Sequence, residues 1–250
     1  RWCHAPAGRD SGTRAEVLGE ALKHWGGTLN LVFCNTKLDC AELSPQLGFL
    51  GFSAVALHGV MEQFERSQTL IRFANGSANV LVATDVAARG LDIDDVDAVF
   101  NFELPHQAEI YVHRIGRTAR GGRKGVAISL VSDREMSRLR HLETERESGA
   151  MKLWRADSMD DPASNVTEFI PEPAVYTLEI NGGRKQKLRP GDILGTLTAS
   201  KELSADAVGK IDILPMVSYV AIAKEHSSTA QRLINRHKIK GRQYRARGLG

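Results

Sequence analysis

A chain of 250 residues has room for one large or two ordinary domains, and its 42% apolar content permits packed cores, which excludes a disordered chain. No run of eighteen apolar residues occurs, so no membrane-spanning helix is expected, and three cysteines (Cys3, Cys34, Cys40) without a C-x-x-C pair suit a reducing cytoplasm rather than a disulfide scaffold. The net charge of +3 is unevenly spread: residues 1–149 carry 17 basic against 19 acidic side chains, 150–173 carry 2 against 5, and 174–250 carry 14 against 6, so the last third is a distinct basic unit of the kind that binds nucleic acid.

In chain order, the first 145 residues alternate short apolar runs with helical patterns. Strands are expected at 2–5, 29–34, 54–57, 80–83, 98–102 and 125–131. Helices are expected at 13–25, 37–50 (with Pro45 as a kink or first-turn residue), 61–73, 108–117 and 133–146, the last capped near Ser132 and Asp133. Such alternation builds a parallel sheet with helices on both faces. From 148 to 173 the pattern breaks at Gly149, Asp160-Asp161-Pro162 and Pro171-Glu172-Pro173, which reads as a linker resting on a neighbour through Leu153, Trp154 and Phe169. Beyond it, strands at 176–180, 210–214, 217–223 and 243–247 and helices starting at Pro190 and at Ser227 give the order βαββαβ, the ferredoxin-like plan of RNA-recognition modules. The expected domains are therefore 1–147, 148–173 as linker, and 174–250.

Chemistry is concentrated at residues 113–120, HRIGRTAR, where Arg114, Arg117 and Arg120 are three apart. On one continuous helix they would share a face, and planar guanidiniums suit polyphosphate because each donates two parallel hydrogen bonds. Upstream lies ATDVAARGLDI at 83–93, with LVFCNT at 31–36 and HGVMEQFER at 58–66. These four stretches, in this order, resemble motifs of the superfamily-2 helicases and in particular the DEAD-box RNA helicases. The tail, with EINGGRKQKLRPGDILGTLT, GKIDILPMVSYVAIA and KIKGRQYR, resembles the RNA-binding tail of the DbpA subfamily of that family.

The resemblance implies a RecA-like parallel-sheet domain followed by the RNA-recognition-type domain. It implies an ATP-dependent RNA helicase that binds 23S ribosomal RNA, a structured hairpin with its adjacent duplex, during large-subunit assembly. Arg117 and Arg120 match arginine fingers reaching ATP phosphates across a cleft between two RecA-like domains; His113 matches a residue linking that interface, and Arg114 a structural or interdomain contact. Gly90 and Asp92 match the nucleotide site, Asp92 through the ribose hydroxyls. Arg66, Thr84, Gly59 and Asn35 match RNA contacts to phosphate and sugar, which carry little sequence information. Ala119 stands where glycine is commoner in the family.

In the tail, Arg184, Lys185, Lys187 and Arg189 lie on the first loop, and Arg232, Arg236, Lys238, Lys240, Arg242, Arg245 and Arg247 on the last helix and beyond. Among ring side chains Tyr219 is the one placed to stack a base, with Tyr176 only at the start of its strand, so recognition is expected to rest on basic loops and RNA shape. No G-x-x-x-x-G-K-[ST] loop and no Asp-Glu-Ala-Asp sequence occurs. Together with an opening that lacks Met and a signal peptide, this suggests part of a longer protein that would take ATP and Mg²⁺ with an N-terminal RecA-like domain; this part alone is expected to be inactive, with no tightly held cofactor and no metal. The competing readings are a non-catalytic RNA-binding protein on a helicase-like scaffold and a DNA helicase of the same superfamily, which the RNA-type tail opposes.

Overall fold

The computed structural model describes residues 1–5, 11–89, 93, 95–119, 125–145, 151–154 and 172–249, with the backbone alone at 11–13 and 154. The expected nucleotide residues Gly90, Asp92 and Arg120, and most of the expected linker, lie outside the described residues. The chain divides into two compact units, residues 1–69 with 78–172, and residues 70–77 with 173–250.

In the first part of the chain the elements are β1 (Trp2–His4), α1 (Ser11–Trp25), β2 (Asn30–Cys34), α2 (Lys37–Phe49), β3 (Ala54–Leu57), α3 (Gln63–Ala74), β4 (Val80–Thr84), α4 (Asp85–Ala88), β5 (Ala98–Asn101), α5 (Ala108–Ile115), β6 (Val126–Val131), α6 (Met136–Glu145) and β7 (Leu153–Trp154). They form one seven-stranded sheet in the order β3-β4-β2-β5-β6-β1-β7, and every neighbouring pair is parallel. All residues of β2, β4 and β5 are buried, because both faces of the sheet are covered. Val32, Cys34, Val80, Val82 and Phe100 pack with α1 and α2 through Leu18, Leu22, Cys40, Leu43 and Leu47. A second cluster joins Leu104, Tyr111 of α5, Val131, and Leu139 and Leu142 of α6. The three thiols are buried, and burial pushes Cys3 up to about 12, Cys40 up to about 11 and Cys34 well above its ordinary range.

Several elements differ from expectation. Pro45 lies in the interior of the expected helix α2 and not in its first turn: the buried face of Cys40, Leu43 and Leu47 and the Thr36 cap, which accepts the Asp39 N–H, hold the helix across the missing donor. Helix α5 stops at Ile115, with Gly116 as its C-cap, so Arg117 is not on the helix. Residues 133–135 form a 3-10 turn before α6, closed by Ser132, whose N–H and hydroxyl both donate to Glu135. Part of the expected linker is a strand, since β7 pairs with β1 at Trp2↔Leu153 and Cys3↔Trp154.

The later elements are β8 (Val175–Ile180), α7 (Pro190–Thr198), β9 (Val208–Ile213), β10 (Ser218–Ala223), α8 (Ser227–Arg236), β11 (Lys238–Ile239), β12 (Arg242–Gln243) and β13 (Ala246–Leu249). The antiparallel sheet β13-β8-β10-β9 realises the expected βαββαβ order. Its core joins Leu178, Ile180, Val220 and Ile222 to Ile193, Leu197, Leu233 and Ile234 of the two helices. The small hairpin β11–β12 falls between α8 and β13 and was absent from the sequence-based order. No helix among the described residues is long and apolar enough to cross a membrane, and no cluster of three or more His, Cys, Asp or Glu there could hold a metal ion.

Candidate functional site

The carboxyl ends of three adjacent parallel strands, β4, β2 and β5, deliver Thr84-Asp85, Asn35 and Asn101 with Glu103 to one edge of the sheet. The chain leaves β2 toward β3 on one side and leaves β5 toward β6 on the other. In open α/β sheets the crevice at such a reversal is where ligands are taken.

Arg114 of α5 closes this edge from above. Its side chain is 1% exposed. Its Nε and Nη2 donate to Oδ1 and Oδ2 of Asp85, each at 2.7 Å; Nη2 also donates to Asn35 Oδ1 at 2.8 Å, and Nη1 to Asn101 Oδ1 at 3.1 Å and the Glu103 carbonyl at 2.9 Å. The guanidinium lies 5.1 Å from the centre of the Phe33 ring. A buried cation is tolerated only when paired and hydrogen-bonded, and here both conditions hold. Asn35 also donates its amide to the Leu104 carbonyl at 3.0 Å, and its N–H to Glu103 Oε2 at 3.1 Å. Burial raises the Glu103 carboxyl above its ordinary value, against the lowering effect of that bond.

The expectation that Arg114 and Arg117 share a helical face is therefore corrected. Arg114 turns into the protein, and the chain tightens after Ile115: the Arg117 N–H donates to the Arg114 carbonyl at 3.2 Å and the Thr118 N–H to the Ile115 carbonyl at 3.2 Å. The carbonyl of Arg117 accepts the N–H groups of Asp95 and Val96 at 2.9 and 3.2 Å, and the Thr118 hydroxyl donates to the Val96 carbonyl at 2.5 Å. This pins the turn to the segment leading into β5.

A cleft of about 230 Å³ opens beside it, lined by Phe33, Asp85, Ala88, Arg89, Ile110, His113, Arg114 and Arg117. Asp85 is bonded to Arg114, so the cations of Arg89 and Arg117 give the cleft its character, and its chemistry suits an anion such as a phosphate. Arg89 and Phe33 were not singled out beforehand, although Arg89 stood inside the ATDVAARGLDI stretch. His113 is exposed on α5 and lines the cleft.

Ala119 adopts φ +59°, the left-handed region, where a Cβ is disfavoured by roughly 1–2 kcal/mol and glycine is at ease. Ala119→Gly is expected to raise stability by about 0.5–1 kcal/mol, the relief being partly offset by the greater freedom of the unfolded glycine. Urea unfolding checks this, and a lower midpoint for the variant would contradict it.

The four expected RNA residues of this unit lie along the same edge. Gly59 follows β3 in an exposed turn with nothing within 4 Å of a Cβ built there, so no neighbour within the chain demands a glycine. Thr84 is buried and precedes α4, and Arg66 donates from Nη2 to the Ala87 carbonyl at 2.6 Å, tying α3 to α4. The half-buried side chain of Asn35 accepts from Arg114 and donates to the Leu104 carbonyl, which gives it a structural role at this edge.

In the later unit the expected basic residues are all exposed, and some of them also pair with acids. Arg232 pairs with Glu202 at 2.8 Å and Arg247 with Glu179 at 2.8 Å. Arg184, Lys185, Lys187 and Arg189 on the first loop, and Arg236, Lys238, Lys240, Arg242 and Arg245, are exposed. Lys240 connects the loop with the hairpin: its Nζ donates to Asp192 Oδ2 at 2.8 Å and to the Lys187 carbonyl at 3.1 Å. The hydrogen bond from Lys240 holds the Asp192 carboxyl below its usual value. Lys240 and Gly241 have φ of +51° and +78°, the two left-handed positions of a two-residue hairpin turn.

The expected stacking residue Tyr219 is corrected. It is 0% exposed, as is Thr177, and it pairs in register with Glu179, which is 7% exposed and bonded to Arg247. An enclosed ring beside a buried carboxylate presents no surface to a base.

Residues 13–122 match the family described as the helicase conserved C-terminal domain, and residues 177–247 match the DbpA RNA binding domain. The chain is 46% identical over 220 residues to the ATP-dependent RNA helicase DbpA of Escherichia coli (strain K12), covering 88% of this chain and 46% of that protein. It is 35% identical over 229 residues to the protein of the same name from Bacillus subtilis (strain 168), covering 85% and 48%. The chain thus spans about half the length of the curated relatives it matches. Among solved structures it is similar to the E. coli DEAD-box protein SrmB bound to regulator of ribonuclease activity A, with a TM-score of 0.57, 40% identity, and coverage of 62% of this chain and 88% of that one. It is also similar to the C-terminal domain of the DEAD-box protein Dbp5, with a TM-score of 0.58, 31% identity, and coverage of 66% and 94%. With its cationic cleft at the carboxyl edge of a parallel sheet and its separate basic unit, the chain belongs to the DEAD-box RNA helicases, of which it carries the helicase C-terminal domain and a DbpA-type RNA binding domain.

Proposed function

We propose that this chain is the C-terminal part of an ATP-dependent RNA helicase that engages 23S ribosomal RNA and acts in large-subunit assembly in the cytoplasm. The observation that carries the reading is the placement, along one edge of one sheet, of the cationic cleft with Arg89, His113 and Arg117 next to Gly59, Thr84 and Arg66. One edge would thereby face both a nucleotide and an RNA backbone. ATP with Mg²⁺ supplies a phosphoanhydride whose cleavage drives the cycle. Arg117, with Arg120, would meet its phosphates, Asp92 its ribose, and Gly90 would belong to the same nucleotide site, when a second RecA-like domain closes on this one. The exposed side chains of Val86 and Val112 beside the cleft suit such a partner surface. Closure on a duplex would bend one strand and release the other.

The basic unit would hold a structured RNA hairpin while the adjacent duplex is worked on. Its surface is the loop 184–189 with the hairpin 238–243, and phosphate contacts there release counterions. The test is a salt titration of binding to 23S ribosomal RNA, with 16S RNA as competitor, for the parent chain and a Lys238→Ala, Arg242→Ala variant. The variant should bind more weakly, with a salt slope lower by about two units. Unchanged affinity and slope would show that this surface does not carry the RNA.

A further inference from the structure

The basic surface contains one acid bonded directly to its hairpin. Asp192 is the third residue of α7, where its Oδ2 accepts the Arg189 N–H at 2.8 Å and thereby closes the first turn. The same oxygen takes the Lys240 ammonium. A carboxylate among phosphate-binding cations opposes RNA, so electrostatics alone would favour its loss.

Geometry explains its presence. Strands β11 and β12 are two residues each, too short to hold a hairpin in place by themselves. The base of the hairpin is held by Gln243, whose Nε2 donates to the Asn235 carbonyl at 2.6 Å, and Ile239, 1% exposed, anchors the strand just before the turn in the core. Its tip is held by Lys240. That residue is left-handed, and so is Lys187 at φ +61°, whose carbonyl is the second acceptor of the Lys240 ammonium. Two non-glycine residues in disfavoured backbone conformations thus meet at one contact, the kind of local strain that the surrounding structure must over-determine.

We propose that the Asp192–Lys240 pair is a latch that seats the hairpin tip against the first loop, setting the spacing of the loop cations (Arg184, Lys185) and the hairpin cations (Lys238, Arg242) for a structured RNA backbone. Lys240 is then a positioning residue, not a phosphate contact. This rests on the RNA-binding reading of the surface given above.

The experiment uses the whole 250-residue chain and a 23S ribosomal RNA transcript, titrated over a range of salt. Asp192→Asn keeps an oxygen for the Arg189 N–H but removes the charge opposite Lys240. It should weaken binding about threefold to fivefold, the scale of one exposed ion pair, although it makes the surface more positive. Lys240→Ala should lose a similar factor with the salt slope unchanged, Lys240→Arg should retain parent affinity, and the Asp192→Asn, Lys240→Ala double variant should be no weaker than either single one. Binding by Asp192→Asn as tight as the parent or tighter overturns the latch, as does a slope lowered by about one unit in Lys240→Ala, which would make Lys240 a phosphate contact. The Lys238→Ala, Arg242→Ala variant separates the two levels. If it binds more weakly while Asp192→Asn does not, the latch alone fails; if it binds unchanged, the RNA-binding surface fails and the latch with it.

Discussion

Replacing Arg117 by alanine in the complete protein is expected to lower RNA-stimulated ATP turnover by about 10²-fold or more. A cation that meets the transferring phosphoryl group stabilises charge developing in the transition state, and loss of such a donor typically costs at least this factor. The fold should survive, because it is the backbone carbonyl of Arg117, bonded to the N–H groups of Asp95 and Val96, that pins the turn. Arg117→Lys should recover only part of the rate, since an ammonium keeps the charge but lacks the planar fork. Steady-state hydrolysis with saturating RNA, alongside the unfolding midpoint, makes the check. Near-normal turnover in the alanine variant would remove Arg117 from the nucleotide site.

Arg114→Ala is expected to fail in the opposite way, through stability. The substitution leaves the Asp85 carboxylate, the side-chain oxygens of Asn35 and Asn101, and the Glu103 carbonyl without their shared donor. Breaking a buried ion pair by removing one partner costs about 3–5 kcal/mol, which is a large fraction of a domain's stability. Urea unfolding of the parent and variant chains should show a loss on that scale. A difference below about 1 kcal/mol would mean that the network is not structural.

These two arginines show how far the sequence could be read. Their spacing suggested one cationic face, and spacing is a sound guide only while the helix continues. Gly116 ends α5 between them, a stop signal present in the sequence that periodicity alone overrides. The alternation of strands and helices was legible because β2, β4 and β5 are buried and largely apolar, but such strands look alike, so pattern does not give their order in the sheet. Strand β7 and the hairpin β11–β12 were missed because two residues carry no alternation, and the hairpin turn is Lys240-Gly241 rather than the stronger Asn-Gly signal. On β10 alternation sets Tyr219 on the face opposite Val220. What alternation cannot give is whether that face is open, and the burial of Thr177 and Glu179 beside it shows that it is not. The basic loop and hairpin were each legible as charge; their junction at Asp192 was not, since it joins residues 48 apart through one carboxylate.

The central claim is that these residues supply half of an RNA-dependent ATPase together with its RNA anchor. ATP hydrolysis measured with Mg²⁺, with and without 23S ribosomal RNA, tests it most directly when the 250-residue chain is compared with a longer chain carrying an N-terminal RecA-like domain. The account predicts no steady-state turnover by the 250 residues under either condition and RNA-stimulated turnover by the longer chain. Turnover by the 250 residues alone, or hydrolysis by the longer chain that RNA does not stimulate, would contradict it.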